Sequence, residues 1–278
     1  KWKDAFSIRN SFFGGRVSLT ISSLAYERVC VLFNIGALQS SVASSQTVDN
    51  DEGLKLAAKL FQQSAGIFHH LKNTVMAAIQ QDPTPDLNPD TLAALSSLML
   101  AQAQEIFVHK AIHDNMKDAV VAKLASQCEE HYAEALKLLQ KESVRPIWEK
   151  DWILIVAGKQ AIFHGMAEYY QSLVCKANKS VGEEIARLQS ALELLKAGQQ
   201  RSGKPSMAAD LVNKAQRNLT EAQKDNDFIY HERIPDHKSL PGIARVTVAK
   251  SLPIPHKFSS NFKDLFEKLV PMPVHQAM

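Results

Sequence analysis

Residues 50–79 read NDEGLKLAAKLFQQSAGIFHHLKNTVMAAI. Asn50 can cap a helix with its side-chain oxygen, and Asp51 puts a carboxylate in the first turn, where the helix dipole favours it. Leu54, Ala57, Ala58, Phe61, Ala65, Phe68, Val75 and Ile79 then recur at helical spacing. Lys55, Gln62, Lys72 and Gln80 lie mostly off that stripe. The stretch predicts one long amphipathic helix.

Its neighbours read the same way. Residues 17–46 are apolar on nearly all sides, from Leu19 through Val42, which predicts a buried helix. Downstream, Asp82 to Pro89 is a loop that hands over to a new helix, with Asn88 as cap and Pro89 at the first helical position. That helix runs to about Ile112, and His113-Asp114-Asn115 interrupts it. Another continues to about Lys141, and the chain breaks again at Ser143 to Pro146. Further helices are expected over 147–177, 181–199 and 205–227. Long helices with short connections favour antiparallel pairs stacked as in helical-repeat proteins, although no repeat consensus is readable.

The last fifty or so residues differ. Pro235, Pro241, Pro253, Pro255, Pro271 and Pro273 preclude long helices. Asn261 to Leu269 could form one short helix, and Ala244 to Ala249 reads as a brief strand. With so many apolar anchors, this tail is expected to lie as a strap against the helical body. No Gly/Ser linker divides the chain, so residues 1–278 read as one domain.

Composition narrows the function. The chain has 278 residues, 45% hydrophobic and 22% charged, which excludes a disordered polymer. No apolar run reads as long enough for a bilayer, since Val29 to Leu38 is broken by Asn34 and Gly36. Net charge is only +3 with both signs interspersed, too little to argue for nucleic acid. Cys30, Cys128 and Cys175 are odd in number and far apart, which fits no disulfide framework or zinc spacing and favours a reducing compartment. The sequence begins without Met and without a signal peptide, so it reads as a possible fragment.

Chemistry-bearing motifs are missing. There is no dinucleotide fingerprint, P-loop, nucleophile elbow or H-E-x-x-H pair. Phe13-Gly14-Gly15-Arg16 is too short to cradle phosphate. His109 and His113 share a helical face, but without a third ligand they read as packed or exposed histidines. His69 and His70 point to different sides of a helix. Glu129 and Glu130 beside Cys128 would raise its thiol pKa and not activate it. Neither catalysis nor a cofactor is implied, and a protein-binding surface remains, such as a groove for an amphipathic helix.

Several stretches, collinear along the chain, resemble the Bro-one domain family of ESCRT-associated adaptors. They are Trp2-Lys3-Asp4-Ala5-Phe6, Phe13-Gly14-Gly15, Asp49-Asn50-Asp51-Glu52-Gly53-Leu54-Lys55, Met99 to Glu105, and Met116-Lys117-Asp118-Ala119. Gly182 to Gln189, Lys224 to His231 and Phe262 to Pro271 follow. The match favours the adaptor branch over the phosphatase-like or prenylated ones. It implies an all-α, elongated, curved domain with tetratricopeptide-like stacked helix hairpins and an extended C-terminal strap. Its implied role is a non-enzymatic, cytoplasmic adaptor recruited to endosomes and the midbody. There it would bind the C-terminal amphipathic helix of a Snf-seven/CHMP-four class ESCRT-III subunit, supporting multivesicular-body sorting, cytokinetic abscission and virus budding. Measured against the family, the chain lacks an N-terminal strand and first helices, which would leave apolar faces exposed.

The resemblance also implies site residues. Phe107 matches the family's aromatic contact, and Val120 and Leu124 match paired aliphatics that can face one bound helix. Val120 stands where isoleucine is common. Asp51, Lys55, Lys110 and Lys123 match a polar rim. By periodicity alone, Phe107, Val120 and Leu124 read as core and the lysines as a solvated face. Phe13, expected outside, and Phe12, left open, match a loop implicated in retroviral nucleocapsid and lysobisphosphatidate contacts. That loop supports a second reading, a membrane-surface module for endosomal acidic lipid. Tyr230 matches a Src-type kinase target and SH2 ligand, or else packs the strap to the body. No sequence-specific nucleic acid is implied.

Overall fold

A computed structural model describes residues 1–6, 17–259, 261, 263, 268–270, 274 and 276. Seven long helices dominate the described residues: α1 (Leu24–Ser44), α2 (Asp51–Ile79), α3 (Pro89–His113), α4 (Asp118–Leu139), α5 (Lys150–Ala177), α6 (Val181–Ser202) and α7 (Ala209–Asp225). Each packs on the next, giving stacked hairpins. A two-residue ribbon, β1 (Trp2–Lys3) antiparallel to β2 (Ser18–Leu19), precedes them.

The caps sit where the sequence puts them. Gly53 N–H donates to Asn50 Oδ1 at 2.7 Å, and Asp90 N–H donates to Asn88 Oδ1 at 2.8 Å with Pro89 beginning α3. Three starts differ from expectation, α5 beginning at Lys150 and not at residue 147. The first helix begins at Leu24, behind β2 and the Ser23 cap, and not at residue 17. The last begins at Ala209 and ends in a π-helical turn over Asn226–Tyr230.

The first helix is not buried on all sides. Leu24 is 90% exposed, and Val31, Leu38 and Val42 are exposed along the same face. The reason is its place at the end of the stack, where α2 is the helix packed against it. Conversely, α3 is long and apolar enough by length and composition to cross a bilayer, which the sequence reading missed. Two thirds of its apolar window (67%) is buried inside the fold, as for a core helix between α2 and α4.

The strap is present, but Ala244 to Ala249 forms no strand. Side-chain amides take the place of a β partner. Gln104 of α3 accepts from the backbone N–H of Val248 (3.2 Å) and Ala249 (3.1 Å) and donates to the Val246 carbonyl (3.0 Å). Gln62 of α2 accepts from Lys250 N–H at 3.0 Å, and its own carbonyl accepts from Leu252 N–H at 3.1 Å. Gln62, expected off the buried stripe, is therefore buried. Gly66 makes the crossing possible, since a Cβ there would lie 1.7 Å from the Leu252 carbonyl oxygen. Further back, buried Arg187 donates to Glu168 (3.0 Å) and to the Pro241 carbonyl (2.7 Å). The short helix expected over 261–269 falls largely outside the described residues.

Candidate functional site

The predicted groove residues come together across α3 and α4, and one hydrogen bond sets their level. Gln104 Nε2 of α3 donates to the Leu124 carbonyl of α4 at 3.2 Å. Phe107 lies three residues beyond Gln104, about 4.5 Å up the axis, and Val120 lies four residues before Leu124, about 6 Å along its own. The helices run antiparallel, so both displacements point the same way, toward the α3–α4 turn. Phe107 and Val120 therefore lie at nearly one level on neighbouring helices. Phe107 is half-buried, packed against the core, and Val120 is 40% exposed.

Leu124 requires a correction. It was expected to lie open beside Val120, but it is only 5% exposed. Gln104 draws its turn against α3, while the strap crosses at the preceding residue through Val246 N–H to the Lys123 carbonyl (3.3 Å). Leu124 is thus part of the floor, with the open apolar surface above it. Met116 at the turn, which the sequence reading did not single out as a contact, is exposed at the open end of the strip.

The polar rim is already paired. Asp51 at the start of α2 meets Lys110 of α3 and Lys55 of its own helix, both at 2.5 Å. Lys110 also reaches Asp114 at 2.8 Å. Hydrogen bonds from Lys110 and then Lys55 hold the Asp51 carboxyl down at about 2, and Asp114 and Asp51 in turn raise Lys110. An acidic partner residue would have to share these cations. Lys123 is exposed on α4.

Behind the strip a polar staple joins three helices. Lys159 Nζ of α5 donates to both oxygens of Glu105 on α3 (2.8 and 2.7 Å), and the Tyr132 hydroxyl of α4 donates to the same carboxylate. Burial pushes Glu105 up, but Lys159 and then His109 outweigh it and hold the carboxyl at about 2. His109 is 3.7 Å from Glu105 and His113 3.1 Å from Asp114, so carboxylates occupy both rings. Cys128 is buried, and burial, with Glu105 next, pushes its thiol well up.

Tyr230 is 49% exposed beside still more exposed Phe228 and Ile229. Buried Asn226 pins the turn, accepting from Glu232 N–H (2.8 Å) and donating to its carbonyl (2.9 Å). Phe12 and Phe13 lie outside the described residues.

Against known proteins, a BRO1-like domain model matches residues 1–278. Programmed cell death 6-interacting protein of Homo sapiens is 48% identical over 277 residues, 100% of this chain and 32% of that one. Apoptosis-linked gene 2-interacting protein X 1 of Caenorhabditis elegans is 43% identical over 279 residues, again 32% of its length. The chain thus spans about a third of these relatives. A solved ALIX BRO1 CHMP4C complex superimposes with TM-score 0.91 at 48% identity, covering 96% of this chain and 74% of that one. This chain belongs to the BRO1-like domain family.

Proposed function

We propose that this chain is a non-enzymatic adaptor domain whose α3–α4 strip receives the C-terminal amphipathic helix of a CHMP4-class ESCRT-III subunit. The observation that carries the reading is the pairing of half-open Phe107 with exposed Val120 beside the Asp51–Lys55–Lys110 rim. An apolar strip with a charged border is the surface an amphipathic helix fits: its apolar side chains cover the strip, and its polar flanks meet the rim, which sets register more than affinity. The solved complex of a relative's BRO1 domain with CHMP4C supports the choice of partner. Within ESCRT assembly the domain would serve cargo sorting into multivesicular bodies, abscission and virus budding. Tyr230, held outward, is the proposed phosphorylation point, where phosphate would add nearly two negative charges.

The test is titration of a fluorescent CHMP4C C-terminal helix by anisotropy. Val120→Asp places a charge on the strip without touching the core, and affinity is expected to fall at least about tenfold, about 1.4 kcal/mol. Equal affinity for both proteins would remove the site assignment.

A further inference from the structure

Gln104 has no solvent exposure, yet its amide is fully used. Its nitrogen donates to Leu124 on α4 and Val246 on the strap, and its oxygen accepts from two strap N–H groups. Four backbone groups from two other elements thus converge on one side chain, one turn below Phe107. The bond to Leu124 crosses between the two walls of the strip. Apolar packing tolerates small slides between helices, whereas a buried amide satisfied on both its atoms is costly to displace. The side chain of Gln62, the other strap-bearing glutamine, bonds instead to Ala58 of its own helix and to Lys250 of the strap, and its backbone carbonyl to Leu252.

We infer that Gln104 is a positioning residue that clamps α4 to α3 at Leu124 and so sets the spacing of Phe107 and Val120 for a docking helix. The strap, bound by the same amide, is the third member of the clamp. The inference rests on the proposed helix-binding role of that strip.

The experiment uses the full 278-residue chain and the CHMP4C helix as probe. Gln104→Met keeps the length and removes all four bonds. Gln104→Glu keeps an acceptor for Val248 and Ala249 but, when ionised, cannot donate to Leu124 or to Val246, so it breaks the link to α4 while two of the three strap bonds remain. Both are expected to weaken binding about tenfold, whereas Gln62→Met, which frees only the strap, stays within about twofold. In a double-mutant cycle, the Gln104→Met effect is expected to shrink to under twofold in a Val120→Ala background and to persist in Lys55→Ala. A general loss of stability would act equally in both backgrounds. Hydrogen exchange supplies a reading independent of the probe: Gln104→Glu should speed exchange of the α4 amides around residues 120–128, and Gln62→Met should not. Should Gln104→Met fail to fold, Gln104→Glu carries the test. If wild type binds and Gln104→Glu binds equally, or if α4 exchange is unchanged, the inference falls alone. If wild type ignores the helix, the groove reading falls and takes the inference with it.

Discussion

The α5–α6 seam and the α3–α4 strip are both apolar faces on neighbouring helices, and they end up in opposite states. At the seam, Gly158 and Gly165 of α5 meet Ala191 and Gly198 of α6 so closely that a Cβ on Gly198 would lie 2.5 Å from Ile162 and one on Gly158 2.8 Å from the Gly198 carbonyl. Small residues at spacings of seven let the backbones close, and nothing is left to bind. At the strip, Phe107 stays half-buried and Val120 stays exposed while Leu124 is buried, and the Glu105–Tyr132–Lys159 staple joins the helices. A seam closes by removing side chains. A docking surface needs side chains that remain and a separate device to keep their helices in place.

The sharpest way to break this contrast is to remove the staple. Lys159→Met deletes the ammonium and leaves Glu105 among buried groups without its main partner. Breaking a buried pair this way costs about 3–5 kcal/mol, read from urea unfolding at neutral pH. Acid sharpens the reading. The wild-type Glu105 carboxyl is held at about 2, below its ordinary value of 4.5, so its stabilising contribution is full above about 4.5 and is lost as pH falls toward 2. In the variant, burial acts against His109 without the Lys159 ammonium, so the folded carboxyl takes up its proton at higher pH than in the wild type. The stability gap between the two proteins is therefore expected to narrow from pH 6 to pH 3. A gap that stays constant or widens would show that the staple is not what holds Glu105 charged.

At the closed seam the matching change adds volume. Gly198→Leu forces atoms into space occupied by Ile162 and the Gly158 carbonyl, with an expected loss of about 3 kcal/mol from overpacking. In an open helical position, replacing Gly would instead stabilise by a few tenths to about 1 kcal/mol. A Tm at or above wild type would mean the seam is slack.

How far the sequence disclosed these states follows from what periodicity encodes. Asn50, Asn88 and Pro89 act through their own side chains and rings on adjacent backbone, so the starts of α2 and α3 were readable. The prolines announced the strap for the same local reason. What lies on either side of a helix is not local. The 17–46 segment looked buried because it is apolar all round, but burial needs a neighbour, and α1 has one on a single side. Ala244 to Ala249 reads as a brief strand in the sequence. Its side-chain partner, however, is the amide of Gln104, and Gln62 takes up the next residue, Lys250; both are polar residues inside helices, the kind that periodicity assigns to the surface. Phe107, Val120 and Leu124 form one apolar set in the sequence, and the family resemblance selected them from many such sets. Only the Gln104 bond and the strap explain why Leu124 sinks while Val120 stays up.

The mildest test adds a single methylene. Val120→Ile extends a side chain that is already 40% exposed, so folding stability should stay within about 0.5 kcal/mol of wild type. If a docking helix covers this position, the added group leaves water on binding. Full burial of a methylene is worth about 0.8 kcal/mol, and partial cover less, so the CHMP4C helix should bind about two- to threefold more tightly. The Asp51 rim does not change, so the gain should be insensitive to salt, unlike one from a charge substitution, which ionic strength would screen. Unchanged affinity would put position 120 outside the covered area and move the docked helix toward Met116 and the turn. A loss would mean that the strip is already filled to its limit by the partner and behaves, once occupied, like the closed seam between α5 and α6.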